Sequence, residues 1–354
     1  MTDFRSADVV VAGGGPVGLV AALFCARSGL DVIVCEPRAG SIDKACGEGL
    51  MPGAVATLAK LGVDPPGQDL LGIRYLAEDL RAAASFRGAP GRGVRRTALH
   101  QALHDQVVRA GIRVLPDAAA AISQDSRRVM VASTGLRARY LLVADGLHSR
   151  LRRELGLHLP VTGRRRYGLR RHFAVPAWTD HVEVYWSARS EAYVTPVAPT
   201  AVNIAILGSV RGSFDDHLAD FPQLRRRLAD LHLGGSPQGA DRVLGSGPLR
   251  QRSRRRVAGR SLLIGDAAGY VDALTGEGIS LGIAQAREAV RAIVADQPQR
   301  YERAWRQVSI RPDLFTAALL TASRFAPIRR MIVPAACAAP RMFAAAVNES
   351  ARPA

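Results

Sequence analysis

The stretch Asp8-Val-Val-Val-Ala-Gly-Gly-Gly-Pro-Val-Gly18 constrains this chain more than any other. The apolar run from Val9 to Ala12 has the pattern of a strand buried on both faces. It runs into Gly13-x-Gly15-x-x-Gly18, and an apolar-periodic helix is predicted from about Val17 to Ser28. A second short apolar strand, Asp31 to Cys35, ends on Glu36, eighteen positions after Gly18. This is the strand, glycine turn, helix, strand and acid order of a dinucleotide-binding unit. Each part has a physical task. Gly13 permits a tight turn, Gly15 lets the backbone approach a pyrophosphate, and Gly18 lets the helix lie close on the strand. The helix N-terminus, with Pro16 and Val17 in its first turn, offers free N–H groups and positive dipole to phosphate. Glu36 stands where a carboxylate can accept ribose hydroxyls.

With 354 residues the chain has room for two domains, or for one large domain carrying an insertion. The formal net charge is +17, and of the 48 basic residues only Lys44 and Lys60 are lysine. Such a charge suits an acidic partner or surface, but it also follows from a compositional bias toward arginine and alanine. The arginines are scattered and the aromatics few, which favours the bias. The densest runs, Arg164-Arg165-Arg166 and Arg250 to Arg256, are not interleaved with stacking aromatics, so no nucleic-acid partner is expected. Cys25, Cys35, Cys46 and Cys337 show no CxxC spacing, and no secretory segment precedes the first strand. A reduced, cytoplasmic protein is expected. No apolar run reaches membrane-spanning length; the apolar segment from Leu314 to Ala346 is interrupted by Arg324, Arg329, Arg330 and prolines.

Past Glu36 come the loop Pro37-Arg38-Ala39-Gly40 and the segment Asp43-Lys44-Ala45-Cys46-Gly47-Glu48-Gly49, whose small residues suit a backbone passing close to a flat ligand. A helix is predicted from Gly53 to Leu61. Ile73 to Phe86 alternates like strands of a different sheet. Arg95-Arg96-Thr97 opens a helix with Leu99, Leu103, Val107 and Ala110 on one face, and Gly111 caps it. Ile112 to Leu115 and Tyr140 to Ala144 are further strands, the latter ending at Asp145-Gly146. From Val161 to Ser246 strand-like runs sit between proline and glycine punctuation, with Phe214 to Leu231 as helical cover. The buried-strand pattern returns at Ser261 to Ile264, ending Gly265-Asp266-Ala267-Ala268-Gly269. Gly276-Glu277-Gly278-Ile279 then starts a long amphipathic helix.

Three motifs thus stand in order: the glycine turn with Glu36, Ala144-Asp145-Gly146, and Gly265-Asp266-Ala267-Ala268. Together they resemble the superfamily of FAD-dependent aromatic hydroxylases and geranylgeranyl reductases, over roughly residues 6–300. The resemblance implies that Asp266 bonds the ribityl chain of FAD, that Asp145 and Gly146 brace the site, and that Arg96 reaches the pyrophosphate and ribityl region. It also implies that Cys46, Gly47 and the Gly276 to Ile279 segment lie beside the isoalloxazine ring. Cys46-Gly47-Glu48-Gly49 and Gly276-Glu277-Gly278-Ile279 look like the reductase branch, whereas Asp145-Gly146 followed by Leu147-His148-Ser149-Arg150 looks like the hydroxylase branch. The chain departs from the hydroxylase pattern at Gly269, where His is usual, and at Ala273, where Pro is usual. Both branches imply NAD(P)H as co-substrate and no protein nucleophile.

The expected fold is α/β: a Rossmann-type FAD-binding domain with an inserted antiparallel substrate sheet and a helical C-terminus. The spans are 1–72, 94–160 and 247–300 for the FAD-binding part, 73–93 and 161–246 for the substrate part, and 301–354 for the tail. The expected activity is an FAD-dependent NAD(P)H oxidoreductase, with a monooxygenase placed ahead of a double-bond reductase. A non-catalytic nucleotide-binding or membrane-docking protein is the alternative of another class. The substrate is expected to be apolar, in a pocket walled by Val182, Val184, Tyr193, Val194 and Ile204. The tail is read chiefly as cover for the FAD-binding part, with peripheral membrane contact as its second role. His172, His181 and His217 read as ordinary isolated histidines.

Overall fold

Residues 6–231 and 242–351 are described by the computed structural model; the parts of the spans above at 1–5, 232–241 and 352–354 lie outside them. Ten helices are formed among the described residues: α1 Pro16–Arg27, α2 Pro52–Lys60, α3 Arg96–Arg109, α4 Arg150–Glu154, α5 Phe214–Leu218, α6 Pro222–Leu231, α7 Gly278–Val294, α8 Arg300–Ala322, α9 Ala326–Ala338 and α10 Pro340–Ser350.

The first strand, Ser6–Ala12, lies at the middle of an eight-stranded sheet. It pairs in parallel with Leu136–Val143 on one side and Val32–Cys35 on the other. Ser261–Leu263 and Arg113–Leu115 extend this parallel core outward. Val9, Val10 and Val11 are wholly buried, as strands covered on both faces require. α1 and α7 pack together on the sheet, and α8 packs on α7. In α3, Leu99, Leu103 and Val107 are buried, whereas Ala110 is the exposed C-cap and does not continue that face.

The glycine turn is shaped by close contact. A Cβ on Gly18 would lie 1.9 Å from the Gly13 carbonyl oxygen, so only glycine lets α1 sit this near the strand end. Gly13 itself adopts φ +112° with its missing Cβ 2.5 Å from the Ala144 carbonyl oxygen.

A second, seven-stranded sheet has the order Leu244–Ser246, Tyr167–Phe173, Ala201–Gly208, Ser190–Ala198, His181–Trp186, Gly72–Ala77, Leu80–Ser85. It is not purely antiparallel. His181–Trp186 and Gly72–Ala77 run parallel, because they arrive from two separate excursions of the chain and no hairpin fixes their relative direction. Side chains alternate across this sheet. One face carries Val194, Val202, Ile204 and Ile206, packed beneath α5 and α6 through Phe214, Phe221 and Leu224. The other carries Ile73, Val184, Trp186, Tyr193 and Leu207, which meet Leu320, Val333 and Val347 of the C-terminal helices. The tail therefore covers the second sheet, with α9 and α10 across Gly72–Ala77 and Leu80–Ser85, rather than serving only the parallel sheet. No single helix among the described residues is long and apolar enough to cross a membrane; α9 and α10 form an apolar pair bent by 101°.

Candidate functional site

A cavity of about 900 Å³ lies between the carboxyl end of the parallel sheet, one face of the second sheet and the C-terminal helices. This is the crevice where open α/β sheets take ligands. Its two ends differ in chemistry. Gly15, Arg96, Lys44, Asp145 and Asp266 gather at one end, and Ile73, Val182, Val184, Leu207, Phe315 and Phe343 wall the other.

At the polar end Gly15 is the N-cap of α1, with Pro16 in the first turn and no side chain capping the free N–H groups. Gly15 has ordinary extended angles, φ −69° and ψ 171°, so the backbone does not demand glycine. Packing does not demand it either: a Cβ there would meet only Arg96 Nη2, at 4.0 Å. What a side chain would fill is the cavity in front of the uncapped helix. That is the shape and polarity of a diphosphate cradle. Gly47, also on the cavity wall, likewise has nothing within 4 Å of its absent Cβ. The residues present therefore fit a long dinucleotide whose phosphates lie at α1.

Val17, Arg38, Cys46, Gly146, Gly265, Gly276, Glu277, Gly278 and Ile279 also line this cavity. Five other expected residues do not. Gly13 and Gly18 shape the turn from behind, Ala267 is wholly buried in the core, and Pro37 lies outside the wall. Glu36 is turned inward: its carboxylate accepts the Gly14 N–H at 2.8 Å and Arg38 Nε and Nη2 at 2.8 Å each. Burial would raise this carboxyl, but the bonds from Arg38 and Gly14 hold it below its ordinary value. Arg38, not Glu36, is presented to the cavity. Asp145 has a structural task as well. Its Oδ2 accepts the N–H groups of Arg150 and Leu151 at 2.8 and 3.1 Å and so fixes the start of α4. Val194 and Ile204 face away from the cavity, for a strand cannot put Tyr193 and Val194 on one side.

Several residues with a part in the site escaped the reading of motifs. Lys44 Nζ stands 3.4 Å from Asp266 Oδ2, bridging two distant segments at the polar end. His100, buried on α3, bonds the Gly14 carbonyl through Nε2 at 3.0 Å and braces the glycine turn. Arg152 is wholly buried and donates to the carbonyls of Leu147, Asp266 and Ala267, tying the Asp145 turn to the Gly265–Ala268 turn. Glu48 is buried with φ +60°, accepts the Arg96 N–H at 2.7 Å and bonds His172 Nε2 at 2.6 Å. His172 is thus no isolated histidine. Its Nδ1 lies 2.9 Å from Arg170 Nη1 and 3.2 Å from Arg95 Nη2. Cys46, another wall residue, receives the Glu48 N–H on its sulfur at 3.4 Å.

Glu277 sits at the start of α7 on the cavity wall. Burial, helped by Asp313 and Glu349, pushes its carboxyl up to about 7. The sign for stability follows. Between the unfolded value of 4.5 and about 7 the folded protein keeps a proton that the unfolded chain gives up, so stability falls as pH rises through that window. The gap corresponds to at most about 3 kcal/mol. In flavin-free protein, Glu277→Gln is therefore expected to melt above wild type at pH 8. The advantage should vanish near pH 5. Thermal denaturation at the two pH values checks this, and a difference independent of pH would refute it.

Residues 6–296 match the family described as FAD binding domain. Menaquinone reductase of Mycobacterium tuberculosis (strain ATCC 25618 / H37Rv) is 30% identical over 356 residues, covering 91% of this chain and 86% of that protein. Digeranylgeranylglycerophospholipid reductase 1 of Methanopyrus kandleri is 28% identical over 342 residues, covering 85% of this chain and 86% of that protein. Two solved structures share the fold. A geranylgeranyl bacteriochlorophyll reductase-like protein from Thermoplasma acidophilum has a TM-score of 0.73 at 19% identity, covering 93% of this chain and 91% of that one. The p-nitrophenol 4-monooxygenase PnpA from Pseudomonas putida has a TM-score of 0.75 at 18% identity, covering 94% of each chain.

Proposed function

From the premise that this chain belongs to the FAD binding domain family of oxidoreductases, we propose that it is an FAD-dependent reductase that saturates a double bond in a long apolar, isoprenoid-type substrate, with NAD(P)H as the source of hydride. The observation that carries this reading is the cavity's shape and lining. It continues past the polar end into an apolar tunnel between the second sheet and α8 to α10, where Val184, Leu207, Leu319, Ile332, Phe343 and Val347 leave few groups to orient a polar substrate. The Asp145-Gly146 motif by itself leans toward oxygen insertion. Relatives at 25 to 30% identity that are named reductases shift the balance to reduction.

FAD, once bound, supplies the hydride chemistry. The uncapped start of α1 receives its phosphates, Arg96 and Arg38 offset their charge, and Asp266 accepts from its polyol hydroxyls. The sheet wall and C-terminal helices hold the apolar chain and exclude water. Glu277 holds a proton at its carboxyl near neutrality, which suits it to protonate the second carbon of the reduced bond. Leu314, Phe325, Ile328, Met331 and Met342 are exposed on the tail with Arg324 and Arg330 among them, a surface suited to peripheral contact with the membrane in which such a substrate dissolves.

The test is product analysis. FAD-loaded protein, NADPH and a menaquinone bearing an unsaturated side chain are incubated in parallel without and with oxygen, and the products are weighed by mass spectrometry. Gain of two hydrogens per turnover is expected. Product that forms only with oxygen present and carries an added oxygen atom would overturn the reductase reading in favour of hydroxylation.

A further inference from the structure

Behind the loop 270–275 lies a second, smaller cavity of about 90 Å³. Tyr270 and Ala273–Gly276 face the large cavity, whereas Val271 and Asp272 face this one. At the end of α8, Leu319 belongs to the first and Ser323, the C-cap one turn on, to the second. Thirteen residues line the small cavity, and six are arginines: Arg164, Arg166, Arg189, Arg250, Arg324 and Arg329. The two densest arginine runs of the sequence, far apart in the chain, thus converge here.

The nearby carboxylates are already used. Glu191, wholly buried, bonds Arg166 Nη2 and Arg329 Nη1 at 2.7 Å each. Asp272 holds Arg166 Nε at 3.0 Å, and Asp220 holds Arg189 at 2.6 Å. Arg329 also donates to the carbonyls of Ser187 and Ser190. The floor is therefore a rigid, preorganised network. Arg164, Arg250 and Arg324 stand exposed at the rim, and none of their guanidinium groups has a hydrogen-bond or ion-pair partner among the described residues. Ser209 and Ser323 add hydroxyls to the wall. Three guanidinium forks around a small void, with every neighbouring carboxylate spent, is the donor arrangement that recognises a phosphate group.

We propose that this cavity binds a phosphate or diphosphate group of a ligand, as an anion subsite separate from the cradle at α1. Two sources share that chemistry: the phosphorylated head of a lipid whose chain lies in the large cavity, and a phosphate of the nicotinamide dinucleotide.

The probe is inorganic pyrophosphate, titrated calorimetrically into FAD-loaded protein so that the α1 cradle is already filled. Three proteins are compared: wild type, R164A/R250A/R324A, and the charge-matched control R109A/R225A/R226A, which removes exposed arginines elsewhere. Because the rim arginines are exposed and unpartnered, their removal leaves the folded network below intact. Binding is expected in wild type and control and weaker by roughly tenfold or more in the rim variant. Competition by farnesyl phosphate then marks the lipid head as the source; competition by NADPH marks the dinucleotide, through its bridging diphosphate if NADH competes equally and through its 2′-phosphate if NADH does not. No binding in wild type, or equal weakening in control and rim variant, overturns the proposal. The readout involves no turnover, so it stands or falls apart from the reductase reading.

Discussion

Gly15→Val protein is expected to fold normally and to come off purification without its flavin. The wild-type glycine is required neither by its backbone angles nor by any protein neighbour, for the only atom near its missing Cβ is Arg96 Nη2 at 4.0 Å. A valine side chain there would stand in the cavity directly before the uncapped N–H groups of α1. Two hydrogen bonds to a charged phosphate, each worth about 1.5–3 kcal/mol, would be lost, a fall in FAD affinity of roughly a hundredfold or more. Gly18→Ala makes the contrast. Its Cβ would lie 1.9 Å from the Gly13 carbonyl oxygen, so the helix must shift from the strand and the apoprotein itself should be destabilised by about 1–3 kcal/mol or more. Flavin absorbance per protein and the melting of the flavin-free forms separate the two effects. A Gly15→Val protein as yellow as wild type would refute the cradle at α1.

These two glycines also mark what a sequence discloses. Gly13, Gly15 and Gly18 are informative because a turn is local: strand, glycines and helix follow within twenty residues, and steric demands act between near neighbours. The helix starts, expected at about Val17, within Arg95-Arg96-Thr97 and at Gly276-Glu277-Gly278 and found at Pro16, Arg96 and Gly278, were legible to within two residues for the same reason. Pairing across the chain was not. Glu48 and His172 are 124 positions apart, and neither belongs to a motif that names the other. The positive φ of Glu48, the one local sign that its place is special, cannot be seen in a Glu between two glycines. Val194 and Ile204 show a different limit. Their strands were recognised, yet the side facing the cavity depends on register against neighbours, and Tyr193 took that side. The tail reads as cover for the FAD-binding part, because an apolar segment announces burial but not its partner; Leu320, Val333 and Val347 found Val184 and Trp186.

Removing the Glu48 carboxylate is expected to cost the protein about 3–5 kcal/mol, the usual penalty for breaking a buried charged network. The network joins two structural units: Glu48 and Asp43 belong to the loop beside the glycine turn, and Arg170 and His172 to the strand Tyr167–Phe173 of the second sheet. Its hydrogen positions follow from donor logic. Arginine can only donate, so His172 Nδ1, facing Arg170 and Arg95, must accept. The ring proton then sits on Nε2 and is donated to Glu48 Oε2, while Oε1 takes the Arg96 N–H. Both oxygens of Glu48 are acceptors, and an amide supplies only one. In Glu48→Gln, either the Arg96 N–H or the His172 N–H must face an NH₂ group. Turning the imidazole to its other tautomer would only move that conflict to Arg170. Glu48→Gln should therefore be nearly as unstable as Glu48→Ala, although it keeps the size and shape of the side chain. Both variants should also weaken FAD binding, because the start of α3, and with it Arg96, is held by Oε1. Urea denaturation gives the stabilities and flavin titration the affinities. A Gln variant within about 0.5 kcal/mol of wild type, the range of ordinary neutral substitutions, would show that Glu48 fills space here and does not join its loop to the second sheet through its charge.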